Sequence, residues 1–204
     1  MLAREGRASY DFAVIRLARE SDGTRLSAIF APYVNETAIS FATVPPTGTE
    51  FAEKVALTLP EFPFLVLEEE GTVTAYAYAS AHRSLASYRW CCEVSVYAER
   101  GGTRRGKASR LYGALLPLLR AQRFHHAYAG ITLPNEASVA LHEKFGFRYF
   151  ARYASIGFKQ GAWRDVGWWD LTLQPTYPTP PPEPLSFAAL REMESAAVSA
   201  ILGA

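Results

Sequence analysis

Between Trp90 and Phe147 the chain sets out a carboxylate, a basic glycine loop and a histidine in an order that suits group transfer. The carboxylate is Glu93, inside the apolar run Trp90-Cys91-Cys92-Glu93-Val94-Ser95-Val96-Tyr97-Ala98. The loop is Arg100-Gly101-Gly102-Thr103-Arg104-Arg105-Gly106-Lys107-Ala108, and it opens directly into a helical pattern. The histidine is His142, on a second helical stretch that starts at Asn135 and stops at Gly146. A glycine-bearing loop between a strand and a helix suits phosphate, because its N–H groups converge and the helix N-terminus adds partial positive charge. Gly106 and Ala108 are small enough for a phosphate to reach the main chain. The alternative for the cationic cluster Arg100, Arg104, Arg105, Lys107 and Arg110 is a solvated loop ahead of an ordinary helix. The G-x-x-x-x-G-K-[ST] pattern of a nucleoside-triphosphate loop is absent. The arrangement suits a group-transfer enzyme holding a pyrophosphate-containing cofactor.

An acid in so apolar a strand is costly unless it has a partner or a use. Glu93 is therefore expected to be buried, and either ion-paired with a nearby arginine, Arg83 or Arg89, or chemically active. His142 is either a proton-transfer group suited to neutral pH or a hydrogen-bonded helix histidine. Asn135 is either a cofactor contact or the N-cap of its helix.

The elements that must position these groups follow from periodicity. Ala13–Leu17 is a short strand, and Asp22 is placed to cap the helix carrying Leu26, Ile29, Phe30 and Tyr33. A second helix from Thr49 carries Phe51, Val55 and Leu59. Phe64–Glu68 and Thr72–Ser80 form a hairpin through Glu69-Glu70-Gly71. In its second strand Ala75, Ala77 and Ala79 face one way, and Tyr76 and Tyr78 the other. The helix after the basic loop carries Ala108, Leu111, Tyr112, Leu115, Leu116 and Leu119 on one core-facing side and contains Pro117, which should kink or shorten it. Tyr128–Thr132, Tyr149–Phe158 and Gly167–Leu173 are the remaining strands. Strands alternating with helices give an α/β (α+β) domain around one central sheet.

With 204 residues and 49% apolar residues, the chain suits a 13–173 domain with a full core and a short appendage. Residues 1–12 read as a flexible N-terminus. Residues 174–185 hold six prolines and read as a stiff linker; 186–204 read as a helix dispensable for chemistry. The formal net charge of +1 points to no nucleic acid. No apolar stretch approaches the roughly 18 residues of a membrane span, and no apolar leader is visible, so a cytoplasmic protein is expected. Cys91 and Cys92 are adjacent, point to opposite faces and suit neither a disulfide nor a metal; no metal is expected.

Several motifs together resemble the GNAT family of acetyl-CoA-dependent N-acetyltransferases, most of all its phosphinothricin N-acetyltransferase branch. They are Thr103-Arg104-Arg105-Gly106-Lys107-Ala108 for the family loop, Ile39-Ser40-Phe41-Ala42-Thr43 before a turn, and Cys92-Glu93-Val94-Ser95-Val96-Tyr97. The others are Leu-Pro-Asn-x-x-Ser-Val-x-Leu-His-Glu from Leu133, continuing to Phe147, and Gly161 to Trp169. The match runs in order from about Ala13 to Leu173, with Thr103 where the family has Arg or Gln. It implies a GNAT-like fold: a single central mixed, mostly antiparallel sheet flanked by helices.

The resemblance also implies roles. Glu93 would deprotonate the incoming ammonium, directly or through water, and His142 would protonate the leaving thiolate. Acetyl-CoA, as co-substrate, would be held by Val96, Tyr97, Ala98, Thr103, Arg104, Arg105, Gly106, Lys107, Ala108, Asn135 and Ser138. A bulge near Glu93 would turn an N–H toward the thioester carbonyl. Phe41, Tyr88, Tyr153 and Trp163 would shape the acceptor pocket, with plain core as the alternative for each, and Arg83 would bind the substrate. The branch's usual arginine is Leu85 here, with Arg83 two residues earlier as its substitute. The implied reaction is acetyl transfer to the primary amine of a small amino-acid-like substrate, of phosphinothricin or methionine sulfoximine type, in a homodimer. A polyamine, an aminoglycoside or a protein N-terminus is the alternative acceptor. A non-catalytic acyl-CoA-binding regulatory domain is the alternative outside enzymes.

Overall fold

The computed structural model describes residues 13–101, 106–176 and 178–203. Among these, β1 (Ala13–Leu17), β2 (Phe64–Glu69), β3 (Thr72–Ala81), β4 (Cys91–Ala98), β5 (His126–Leu133), β6 (Arg148–Lys159) and β7 (Ala162–Thr172) form one sheet. Its order is β1-β2-β3-β4-β5-β7-β6. Every neighbouring pair is antiparallel except β4 and β5, so the sheet is mixed and mostly antiparallel. The β2–β3 turn has Glu70 and Gly71 both at positive φ, the backbone a tight right-twisting hairpin needs.

Alternation in β2 and β3 divides the core. Leu65, Leu67, Ala75, Ala77 and Ala79 turn to the face covered by α3 (Lys107–Ala121). Their small side chains let α3 sit close, and Leu111, Leu115, Leu118 and Leu119 are fully buried against them. Phe64, Val66 and Tyr76 turn to the opposite face, under α1 (Gly23–Asn35) and α2 (Gly48–Thr58). There the rings of Phe64, Tyr76 and Tyr78 stack at 5.0–6.3 Å. The expected alternation of alanines and tyrosines is the one observed.

Two local expectations change. Asp22 does not cap α1 through its side chain; it takes the Arg16 guanidinium at 2.7 and 2.9 Å and the Arg19 N–H at 2.8 Å. Burial works against that charge, but these hydrogen bonds outweigh it and hold the carboxyl below its ordinary range. A guanidinium with two matched donors outcompetes the helix amides for one carboxylate. Pro117 neither breaks nor shortens α3, which continues to Ala121. The carbonyl that loses its donor is that of Gly113, on an exposed position where water can serve it.

The C-terminal segment folds back on its own sheet. Glu183 grips Arg89 at 2.5 and 2.7 Å, and the Trp90 indole N–H donates to Pro182 O. Gln122 exchanges hydrogen bonds with Leu185 at both ends, N–H to O in each direction. Beyond them α5 (Phe187–Met193) puts Phe187 and Leu190 fully into the α3-side core, and α6 (Ser195–Leu202) adds Val198.

Candidate active site

The site begins where the sheet parts. β4 and β5 pair only at Cys91–His126, Cys92–Ala127 and Glu93–Tyr128; beyond Glu93 they diverge. No bulge produces the opening: β4 pairs with β3 from Cys92 to Ala98 without a register shift. The expected bulge is replaced by a split between parallel strands, which leaves main-chain groups on that side of β4 without a strand partner. Into the split opens a cleft of ≈ 660 Å³ lined by Val94–Ala98 on one side and Ala129–Thr132 on the other.

At one end of the cleft α3 starts. Gly106 is its N-cap at φ 70°, a conformation that disfavours any side chain although open space surrounds it. Gly106 has no side chain to cap the first turn, the turn carries no acid, and among the described residues no side chain takes its N–H groups, an arrangement that suits an anion. Lys107 lines the cleft, but its ammonium is paired with Glu69 at 2.6 Å in a nearly buried contact. Its ammonium is therefore already compensated by that carboxylate. Ala108 lines the cleft beside it. Thr103, Arg104 and Arg105 lie outside the described residues.

On the β5 side α4 (Glu136–Lys144) begins at Asn135, whose Oδ1 accepts from the Ser138 N–H at 3.2 Å. Asn135 and Ser138 both line the cleft, so capping and cleft lining coexist. His142 lines it too and is buried. Its Nδ1–H donates to Ser138 O at 2.7 Å, and its Nε2 meets the Tyr112 hydroxyl at 2.9 Å. A carbonyl can only accept, so the proton sits on Nδ1 and Tyr112 is the donor to Nε2. Burial pushes the ring below its ordinary pKa, against the Ser138 hydrogen bond, so the ring is neutral at pH 7. Both nitrogens of His142 are thus occupied, and Tyr112, read from periodicity only as a core residue, is its partner.

Glu93 stands at the splitting point and is half-buried, its side chain 30% exposed, not sealed in as its strand suggested. It is ion-paired with Arg83 at 3.3 Å; Arg89 is instead committed to Glu183. A second partner escaped the sequence reading: His82 Nδ1 lies 2.9 Å from the same oxygen, Oε1. His82 stacks on Tyr128 at 4.5 Å and meets Tyr88 and Trp168 edge-on. Arg83 lies 5.9 Å over Trp168, and Tyr153 packs on the same indole at 5.5 Å. Three expected acceptor residues, Arg83, Tyr88 and Tyr153, are therefore linked through His82 and Trp168. Phe41 sits apart from that cluster, pressed on Gly157, where an added Cβ would come within 2.4 Å of its ring. Trp163 is also apart from that cluster, packed on Phe158 at 5.5 Å; none of these residues lines the cleft, and Phe41, Tyr88, Tyr153 and Trp163 are all exposed, so none is plain core. Leu85, in the place of the branch's arginine, is exposed.

The acetyltransferase (GNAT) domain family matches residues 15–168. Phosphinothricin N-acetyltransferase from Streptomyces viridochromogenes is 34% identical over 172 residues, 84% of this chain and 94% of that protein. The L-methionine sulfoximine/L-methionine sulfone acetyltransferase of Salmonella typhimurium is 34% identical over 161 residues, 78% and 94% of the two chains. Among solved structures, a GNAT superfamily phosphinothricin acetyltransferase from Sinorhizobium meliloti, in complex with acetyl-CoA, superimposes with a TM-score of 0.77. It is 28% identical, with 85% of this chain and 93% of that one covered. Agreement in sequence and fold over more than three-quarters of both partners leaves one reading: this chain belongs to the GNAT family and is an N-acetyltransferase.

Proposed function

We propose that the protein moves the acetyl group of acetyl-CoA to the primary amine of a small amino-acid-like substrate, by direct attack in a ternary complex. The observation that carries this reading is the split between β4 and β5: it starts at the Glu93–Tyr128 pair and opens into a cleft, lined from Val94 onward, that reaches the start of α3. The first-turn amides of α3, uncapped by any described side chain, suit a pyrophosphate; the edge of Val96–Ala98, which has no strand partner there and whose Ala98 carbonyl accepts from the Tyr33 hydroxyl, suits a pantetheine arm lying alongside it. When bound, acetyl-CoA supplies a thioester whose carbonyl carbon is open to an amine. Thr103, Arg104 and Arg105 complete the phosphate end in this reading.

Glu93 takes the proton from the substrate ammonium. The freed nitrogen lone pair then forms the N–C bond as the C–S bond breaks, and the sulfur leaves with the electron pair. The acylated nitrogen then sheds its second proton and the thiolate takes one up, both through water in the cleft beside His142, the expected general acid, whose two ring nitrogens are occupied by Ser138 and Tyr112. Arg83, 44% exposed at its side chain, keeps donors for a substrate carboxylate, and Tyr88, Tyr153 and Phe41 shape the apolar remainder. The likeness to the phosphinothricin and methionine sulfoximine/sulfone enzymes supports a substrate of that size. We also read the protein as cytoplasmic and as a homodimer. The exposed apolar side chains of edge strand β6, Tyr149, Phe150, Ile156 and Phe158, are surface that a second copy would cover.

The test is thiol release from acetyl-CoA across a panel of amines. Release with phosphinothricin, methionine sulfoximine or methionine sulfone is the expected result. Release only with polyamines, aminoglycosides or peptide N-termini, or with none of the panel, would overturn the acceptor assignment.

A further inference from the structure

Glu93 does not stand on the arginine alone. Both contacts to its carboxylate, from His82 at 2.9 Å and Arg83 at 3.3 Å, fall on Oε1, and Oε2 makes no hydrogen bond to a described residue. A carboxylate accepts only, so His82 Nδ1 is the protonated nitrogen and the donor. The ring is 14% exposed at its side chain and is gripped on three sides. The Tyr128 ring lies parallel to it at 25°, and Tyr88 and Trp168 meet it at 68° and 82°. The groups facing it thus come from β4 (Glu93), the turn at Ala86–Tyr88, β5 (Tyr128), β7 (Trp168) and its own neighbour Arg83. Arg83, by contrast, is half-exposed and also tied to the His82 carbonyl at 2.7 Å.

We propose that His82 is a positioning residue for the transfer reaction: its Nδ1–H pins Glu93 Oε1, so that Oε2 is the oxygen presented to the substrate amine. The inference rests on Glu93 being the base, as proposed above. A flexible glutamate at the split would otherwise divide its time among rotamers, and a base displaced by about 1 Å can lose on the order of 10² in rate. Tyr128 supplies the rigidity, because its own place is fixed in β5 opposite Glu93. The ring of His82 therefore transmits the geometry of β5 to a carboxylate on β4 just where the two strands part.

Two variants separate positioning from bulk. His82→Phe keeps a ring to stack on Tyr128 but loses the donor. His82→Asn loses the stack but places an amide N–H near the position of Nδ1. In thiol-release kinetics, His82→Phe should lower kcat roughly 10- to 100-fold with the acetyl-CoA KM unchanged, and His82→Asn should recover to within about fivefold of wild type. A His82→Phe enzyme with wild-type kcat overturns the proposal. So does an equal loss in both variants. A third measurement needs neither turnover nor a folded Phe variant: the imidazole N–H of His82 in ¹⁵N-labelled full-length protein, assigned by its disappearance in His82→Asn. Its resonance should move or vanish in Glu93→Gln. A signal indifferent to Glu93 overturns the bond itself. Failure of the wild-type enzyme to acetylate any amine would instead defeat the proposed function, while this signal would still decide whether His82 holds Glu93.

Discussion

The two ends of the cleft are built from different parts of the polypeptide. At the α3 end the groups facing the cleft are main chain: first-turn amides that no described side chain caps, a left-handed Gly106 and the edge of β4 without a strand partner. Of the cationic side chains described there, Lys107 is paired with Glu69, Arg100 with Glu36, Arg110 donates to the Ala13 carbonyl and Lys144 to the Ser109 hydroxyl. At the Glu93 end the groups are side chains delivered from separate elements: His82 and Arg83 after β3, Tyr88 from the turn before β4, Tyr128 from β5 and Trp168 from β7. A main-chain site needs only the right backbone path, so it tolerates sequence change and suits an invariant ligand. A side-chain site changes its shape with each substitution, which suits an acceptor that differs from one relative to the next.

The contrast can be broken first at the acid where the split begins. Glu93→Gln should lower kcat/KM by roughly 10²–10⁴ near neutral pH. Acetyl-CoA affinity should be unaffected, and the loss should shrink as pH rises and more substrate amine arrives unprotonated. Loss of acetyl-CoA affinity in that variant would show that the ends are not separable. Next in size is the backbone itself. Gly106→Val places a β-branched residue at positive φ, a strain of about 1–2 kcal/mol, and should raise the acetyl-CoA KM roughly tenfold with little change in acceptor KM. Arg83→Gln should do the reverse, raising the acceptor KM by roughly three- to tenfold and leaving the acetyl-CoA KM alone. An Arg83→Gln enzyme with an unchanged acceptor KM would remove this residue from the acceptor side.

The smallest effect is on stability. The folded-state pKa of His142 is depressed below its ordinary 6.5, so the unfolded chain binds that proton more readily. Its contribution is complete above about pH 6.5 and is lost as pH falls below that value. Thermal melts across this window should show a falling Tm, with a flatter profile in His142→Gln. A profile identical to wild type would mean that the buried ring does not resist protonation.

The same contrast explains what was legible in the sequence. Sheet and helix periodicity located the elements, and Val96–Ala98, Gly106–Ala108, Asn135, Ser138 and His142 all line the cleft, because a loop-to-helix binding path is written in consecutive residues. His82 was missed because its role depends on register. Ser80 pairs with Glu93 and Ala81 with Cys92, so the residue after β3 turns back onto an acid eleven positions away. Tyr112 was read only as core because a helical face does not show which of its buried side chains also borders a gap between strands. The proline-rich segment looked like a spacer; its hydrogen bonds to Trp90, Arg89 and Gln122 come from partners no local pattern could name.

The most direct test of the account is an initial-velocity study in which acetyl-CoA and methionine sulfone are varied against each other. Acetyl-CoA in the cleft and the amine at Glu93, bound at once, predict reciprocal plots that intersect, the signature of a ternary complex. Parallel lines would mean that the acetyl group is first parked on the enzyme and acetyl-CoA leaves before the amine binds, which would contradict direct attack at the β4–β5 split.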